Sequence, residues 1–228
     1  MSLRNLFFGS AAASEEKSGD ADPNVAFYRN QTPSLPDGDL VDVIHDTWKG
    51  QYQKLEMHHG YIQWLFPVFE NAGMNFESSP LSKPGAAIIR SEPDCCKRVI
   101  KSYRLMLGFY GFVLEDERTG RIGRDSNPED RFDNLNYSGH NWLRVSRILT
   151  SLGELGFARY KGELIKALEA EVKAGTLANA GESLNRFWKP LCTGEDEPWY
   201  AQKTLEEPAD RADNCLFQPG GPLAEVKL

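Results

Sequence analysis

Apolar side chains recur three and four residues apart along much of this chain, and that spacing constrains its fold more than any other property of the sequence. The clearest instance runs from Glu92 to Tyr110. There Cys96, Val99, Ile100, Tyr103, Leu107 and Tyr110 fall on one face of a helix, and Lys97, Lys101 and Arg104 mark the other. A stripe of this kind must be covered by other elements, so a sequence built from several of them folds as packed helices.

Further stripes supply the partners. Ser34-Leu35-Pro36-Asp37-Gly38 has turn chemistry, and Leu40, Val43, Ile44 and Trp48 then follow at helical spacing, predicting a helix over 39–48. A second helical stretch is predicted over 52–66, with Gly60 as a break and Pro67 as its stop. Gly111 ends the long helix. Beyond it, Phe112-Val113-Leu114, a turn at Arg118-Thr119-Gly120 and Arg121-Ile122-Gly123 read as a two-stranded hairpin too small to define the fold. Asn127-Pro128-Glu129-Asp130 combines a capping residue, a first-position proline and first-turn acids, predicting a helix to Asn136. The next helix begins near Ser138, with Trp142, Val145, Leu149 and Leu152 as its apolar stripe. Phe157, Leu164, Ile165, Leu168 and Val172 build another, ending near Gly175, and Leu184, Phe187, Trp188 and Leu191 a last one, stopped by Pro190 and Gly194. The expected class is all-α, one mainly helical domain over 25–192 with a short β-hairpin near residues 112–123. Residues 1–24 read as a flexible arm and 193–228 as an irregular tail.

Length and charge narrow the function classes. The chain's 228 residues suffice for one sizeable domain. A formal charge of -7 and a pI of 5.2 argue against a nucleic-acid or anionic-membrane surface, both of which want clustered cations. No window is apolar enough over its length to span a bilayer, so no transmembrane segment is expected, and the first eight residues are too short and too poorly apolar for a signal peptide. Cys95, Cys96, Cys192 and Cys215 form no disulfide framework, and reduced thiols in a cytoplasmic or nuclear setting are expected. The sequence lacks GxGxxG after a strand, GxxxxGK[ST], HExxH and GxSxG, and no cofactor is expected.

The chemistry concentrates in His58-His59-Gly60-Tyr61-Ile62-Gln63-Trp64-Leu65-Phe66-Pro67, which holds two of the four histidines among residues apolar enough for a core. Such a segment is either an internal hydrogen-bond hub or the wall of a ligand pocket. Neighbouring histidines on a helix point about 100° apart, so His58 and His59 cannot clamp one ion without a local break, His140 or Glu56 could complete a site only if the fold delivered it, and no metal site is expected. His58, His59 and His140 are instead the candidate acid/base residues, with Glu56 or Asp46 to tune them and Tyr61 and Gln63 to orient or donate. Set against this, one histidine can serve simply to bond backbone carbonyls between helices. His140, Arg144 and Arg147 recur at three and four on one helix and cannot pair among themselves. Their partners are then acids of the preceding helix, Glu129, Asp130 and Asp133, or a ligand carboxylate or phosphate. In the second case, substituting Arg144 and Arg147 would abolish binding and leave the thermal midpoint nearly unchanged. Phe27, Tyr28, Trp48, Tyr103 and Tyr110 are either core or the lining of an aromatic cleft.

Several of these stretches together resemble the conserved domain of the opioid growth factor receptor family. They are Phe27-Tyr28-Arg29-Asn30, Pro36-Asp37-Gly38, Ile44-His45, Leu55-Glu56 with His58 to Pro67, Lys101-Ser102-Tyr103 with Met106-Leu107 and Phe109-Tyr110-Gly111, His140-Asn141 through Arg144, Arg147-Ile148-Leu149 and Ser151 to Gly156. The match is collinear over residues 25 to 172, and His58 to Pro67 is its most specific part. The resemblance implies a mainly helical domain unlike the membrane-spanning opioid receptors; in animals the family's named member is linked to enkephalin binding, a nuclear or perinuclear location and growth inhibition. Two functions are carried forward. One is a module binding a small molecule or short peptide through Tyr28, Arg29, Glu56, Tyr61, Gln63, Trp64, Tyr103, Asn141, Arg144 and Arg147. The other is a cofactor-independent enzyme that uses histidine acid/base chemistry on a small organic substrate, by isomerisation, cyclisation or hydrolysis.

Overall fold

The computed structural model describes residues 19–36, 38–70, 76–193 and 213–224. The expected arm up to residue 18, and the parts of the expected tail at 194–212 and 225–228, lie outside the described residues. In chain order the main elements are α1 (Pro23–Tyr28), α2 (Val41–Thr47), α3 (Tyr52–Met57), α4 (Ile62–Leu65), α5 (Lys83–Ser91), α6 (Pro93–Phe109), β1 (Phe112–Asp116), β2 (Arg121–Arg124), α7 (Glu129–Tyr137), α8 (Gly139–Glu154) and α9 (Ala158–Lys173), with a single helical turn at Gly19–Ala21 before them and short helical turns from Ala178 to Thr193 after them. The protein is thus mainly helical, with one antiparallel hairpin.

The long stripe behaves as its spacing demands. Cys96, Val99, Ile100, Tyr103 and Leu107 of α6 are all buried, and α6 packs against α1, α2, α5 and β1. A second group forms around α8, which packs against α7 and α9 through Val145, Leu149 and Leu152. The hairpin joins the two groups, because β1 lies on α6 and β2 on α9. Its turn is fixed by the Asp116 carboxylate, which accepts from the Arg118 amide at 2.8 Å. Gly120 closes the turn at φ 81°, where a Cβ would stand 2.5 Å from Cδ1 of Tyr160. Only glycine lets this turn sit directly on α9.

Among the described residues, α1 and α5 escaped the sequence reading, as did the short helical turns at 19–21 and 178–183. α1 and α5 are short, and one carboxylate ties them together. Asp22 Oδ1 accepts from the Asn24 amide at 2.8 Å to cap α1, while its Oδ2 accepts from the Ser82 amide at 2.7 Å. Ser82 in turn caps α5 through the Gly85 amide at 3.0 Å. The stretch predicted over 52–66 divides into α3 and α4, with the break spanning His58 to Tyr61. Asn127 takes φ 50° and does not cap; Pro128 stands at the N-cap of α7. Pro190 opens a last helical turn, Pro190–Thr193, instead of stopping one, as suits a residue whose missing N–H is no loss at the first helical position. Residues 213–224 contain no helix or strand, yet they return to the core as a strap that buries Asn214, Leu216 and Phe217.

Candidate functional site

Residues 55–66 reach α6 through Tyr61, whose hydroxyl lies 3.6 Å from Sδ of Met106, and Arg144 and Arg147 of α8 turn toward them. Arg144 is buried, and its guanidinium donates to the carbonyls of Leu55 at 3.0 Å, Glu56 at 3.3 Å and His58 at 3.3 Å, as well as to Oδ1 of Asn141 at 3.1 Å. These carbonyls are the ones a helix end leaves unpaired, so a cation there satisfies both the hydrogen bonds and the helix dipole. The same guanidinium lies 3.3 Å from Nδ1 of His59 and stands over the Tyr61 ring. Arg147 donates from Nε to the Phe66 carbonyl at 2.8 Å, and burial pulls its pKa down to about 10. Both arginines thus serve main-chain carbonyls of 55–66, with Asn141 and His59 also beside Arg144, while Glu129, Asp130 and Asp133 lie exposed.

Glu56 is the centre of a second set of contacts. Its Oε1 lies 2.7 Å from Nε2 of His140, and its Oε2 accepts from Nδ2 of Asn134 at 3.0 Å and of Asn141 at 3.1 Å. Asn134 is held in that pose by Ser138, whose hydroxyl donates to Oδ1 of Asn134 at 2.9 Å. Burial alone would raise the Glu56 pKa, but the two amide donors, with His140 and Arg144 behind them, outweigh it and leave the carboxyl below its ordinary value. His59 sits beside this pair, its ring centroid 6.0 Å from that of His140. Partial burial, then the nearby Arg144 and His140 charges, push the His59 pKa down. Both imidazoles reach solvent, and the His140 side chain is 43% exposed.

The remaining candidates are distributed as follows. His58 packs its ring 5.2 Å from Trp48 and accepts from the Gly60 amide at 3.1 Å through Nδ1, a core-facing role. Tyr61 is buried and donates to the Leu55 carbonyl at 3.0 Å; Trp64 donates to the Leu35 carbonyl at 3.0 Å. Gln63 is buried with its Oε1 unbonded. Tyr28 is buried and donates to the Leu65 carbonyl. Arg29 lies apart from the cluster, paired with Glu92 at 2.5 Å and Asp20 at 2.8 Å, and Tyr103 stacks on Tyr160 with centroids 5.4 Å apart. The structure thus gathers Glu56, His59, His140, Asn141 and Arg144 into one cluster. Asn134 and Ser138 complete it from α7 and its C-cap; their only sequence signal is their four-residue spacing one turn ahead of His140. Burial pushes the Tyr110 hydroxyl well above its ordinary pKa, and among the described residues that hydroxyl has no hydrogen-bond partner. Among the described residues no three His, Cys, Asp or Glu side chains stand so as to hold a metal ion, and no helix is long and apolar enough to cross a membrane.

Fold and site together define a mainly helical domain whose α3, α7 and α8 converge on a carboxylate–imidazole cluster. The opioid growth factor receptor conserved region matches residues 17–190, and the chain belongs to that family. It is 44% identical over 144 residues to the opioid growth factor receptor of Homo sapiens, covering 63% of this chain and 21% of that protein. It is 42% identical over 166 residues to opioid growth factor receptor-like protein 1 of Xenopus tropicalis, covering 72% of this chain and 32% of that protein. The rat opioid growth factor receptor is 45% identical over 143 residues, with 63% and 24% covered. The chain therefore spans a third or less of the length of these relatives. No solved structure matches it.

Proposed function

We propose that the domain is a recognition module that binds a small molecule or short peptide at the solvent edge of the Glu56–His59–His140 cluster. The observation that carries this is an exposed imidazole pair set among exposed apolar side chains. Met57 is 66% exposed, Tyr137 75% and Leu143 73%, and each lies within three residues of Glu56, His59 or His140 in the sequence. Leu143, three residues after His140, shares its side of α8. Polar donors with a rim of uncovered apolar surface suit a ligand that has both a carboxylate and an apolar part. The imidazole N–H groups would meet the carboxylate, with the Arg144 charge behind them. Arg144 and Arg147 act as positioning residues, since their donors already serve the 55–66 carbonyls. The relatives' name, opioid growth factor receptor, agrees with a ligand-binding role.

The test is a titration of the isotope-labelled full chain with an enkephalin peptide, followed by amide chemical shifts. Shifts should map to residues 56–61 and 137–144. They should vanish in a His59→Ala, His140→Ala double variant whose thermal midpoint stays within about 2 °C of wild type, as expected for exposed substitutions. Shifts confined to other surfaces, or retained in that variant, would count against the site. A second reading, acid/base catalysis, has the 2.7 Å Glu56–His140 contact in its favour, because a carboxylate can orient an imidazole and stabilise its charged form. It requires that a substrate in a metabolite extract be consumed by the wild-type chain and spared by His140→Ala.

A further inference from the structure

The sulfurs of Cys96, on α6, and Cys215, on the strap, lie 3.7 Å apart although 119 residues separate them in the sequence. Both are free thiols in this structure. The backbone around them is already in place. The Cys215 amide donates to the Arg90 carbonyl at 2.8 Å, and the same carbonyl lies 3.5 Å from Sγ of Cys96. The strap is pinned on either side: Nδ2 of Asn214 donates to the Gly156 carbonyl at 2.9 Å, and Phe217 lies 5.6 Å from Phe157 and 5.9 Å from Tyr160 by ring centroids, with the Arg159 guanidinium 3.9 Å from its own. A disulfide requires about 2.05 Å between sulfurs, so closure must bring the two sulfurs roughly 1.7 Å nearer. Cys95, next along α6, directs its sulfur to Glu92 Oε2 at 3.3 Å instead.

We propose that Cys96 and Cys215 are an oxidation site at which hydrogen peroxide closes a disulfide that fastens the strap to α6. Access sets the order of events, since Cys96 is fully buried and Cys215 only partly so. The Cys215 thiolate attacks one peroxide oxygen, the O–O bond breaks, and the other oxygen leaves as water once protonated; Cys215 is then a sulfenic acid. The Cys96 sulfur attacks Sγ of Cys215, the S–O bond breaks, and hydroxide leaves as a second water, taking the Cys96 proton. Two thiols and one peroxide thus give one disulfide and two waters, a two-electron oxidation of the protein. Closure converts a strap held by packing and hydrogen bonds into one held covalently.

The experiment treats the full-length chain with about equimolar hydrogen peroxide. The intact mass should fall by two hydrogens, and proteolytic mapping should join the Cys96 and Cys215 peptides. The thermal midpoint should rise by about 10–20 °C, the chain-entropy expectation for closing a loop of this length, and dithiothreitol should reverse the change. The Cys215→Ser and Cys96→Ser variants should show neither the mass loss nor the shift. Oxygen addition at Cys215 with no cross-link, a bond from Cys215 to Cys95 or Cys192, or disulfide-linked dimers would each overturn the proposal.

Discussion

Replacing Arg144 by methionine separates a structural guanidinium from a ligand-facing one. Methionine keeps most of the stem volume but removes every donor. The Leu55 carbonyl would retain the Tyr61 hydroxyl at 3.0 Å, so the groups left without their donor are the carbonyls of Glu56 and His58 and the buried Oδ1 of Asn141, beside a part-buried His59 nitrogen. Leaving a buried acceptor unpaired costs about 1–3 kcal/mol each, and part of the sum is recovered because a cation no longer has to be buried. A net loss of about 3 kcal/mol follows, equivalent to roughly 6–12 °C in thermal midpoint for a chain of this size. Urea denaturation followed by tryptophan fluorescence would measure it, with Arg144→Lys intermediate because an ammonium can reach one or two of these carbonyls but not all. A loss under about 1 kcal/mol in Arg144→Met, with ligand binding abolished, would refute the carbonyl-clamp account and return the side chain to the ligand.

Two other perturbations test the fold elsewhere. Burial pulls the His45 pKa down to about 4, with Lys101 adding to the effect against Asp42; the ring is held by Ser102 at 2.9 Å from Nε2, and its Nδ1 has no hydrogen bond. The folded state then binds fewer protons than the unfolded one between pH 6.5 and 4. Stability should fall as the pH drops through that window, by about 2 kcal/mol at pH 5, and a His45→Gln variant should lose that component in denaturant titrations at pH 7 and pH 5; equal slopes in the two proteins would sink the claim. Phe217→Ala empties the ring's place between Phe157, Tyr160 and Arg159 and should cost about 3–4 kcal/mol by urea denaturation, whereas a loss below about 1 kcal/mol would mean that the strap is not part of the cooperative unit.

What the sequence revealed follows from what periodicity encodes. α6, α8 and α9 are long and strictly striped, so their existence and buried faces could be read directly. α1 and α5 are too short for a period to register, and the Asp22 carboxylate that holds them together acts across 60 residues, which no local window contains. The strap was missed for the same reason: Leu216 and Phe217 sit among prolines, glycines and acids, and only tertiary packing singles them out. At the site, the spacing of His140, Arg144 and Arg147 correctly placed them on one side of a helix. It could not say what the two arginines face, because they serve main-chain carbonyls and a carbonyl has no letter in a sequence. Glu56 was identifiable as a companion of the histidines. Asn134, which with Asn141 holds its second oxygen, and Ser138, which holds Asn134, carry no charge or motif to betray them.

The strap also dictates an order of events during synthesis. The surface formed by Phe157, Tyr160 and Arg159 is made well before residue 217 leaves the ribosome, and until then those two rings have lost the neighbour that covers them. For that interval the nascent chain displays an aromatic patch beside a cation, a natural target for a chaperone that recognises exposed apolar surface. Final closure is then a late, long-range step, so variants that weaken the strap should lower the yield of folded protein in cells by more than their equilibrium stability alone would predict.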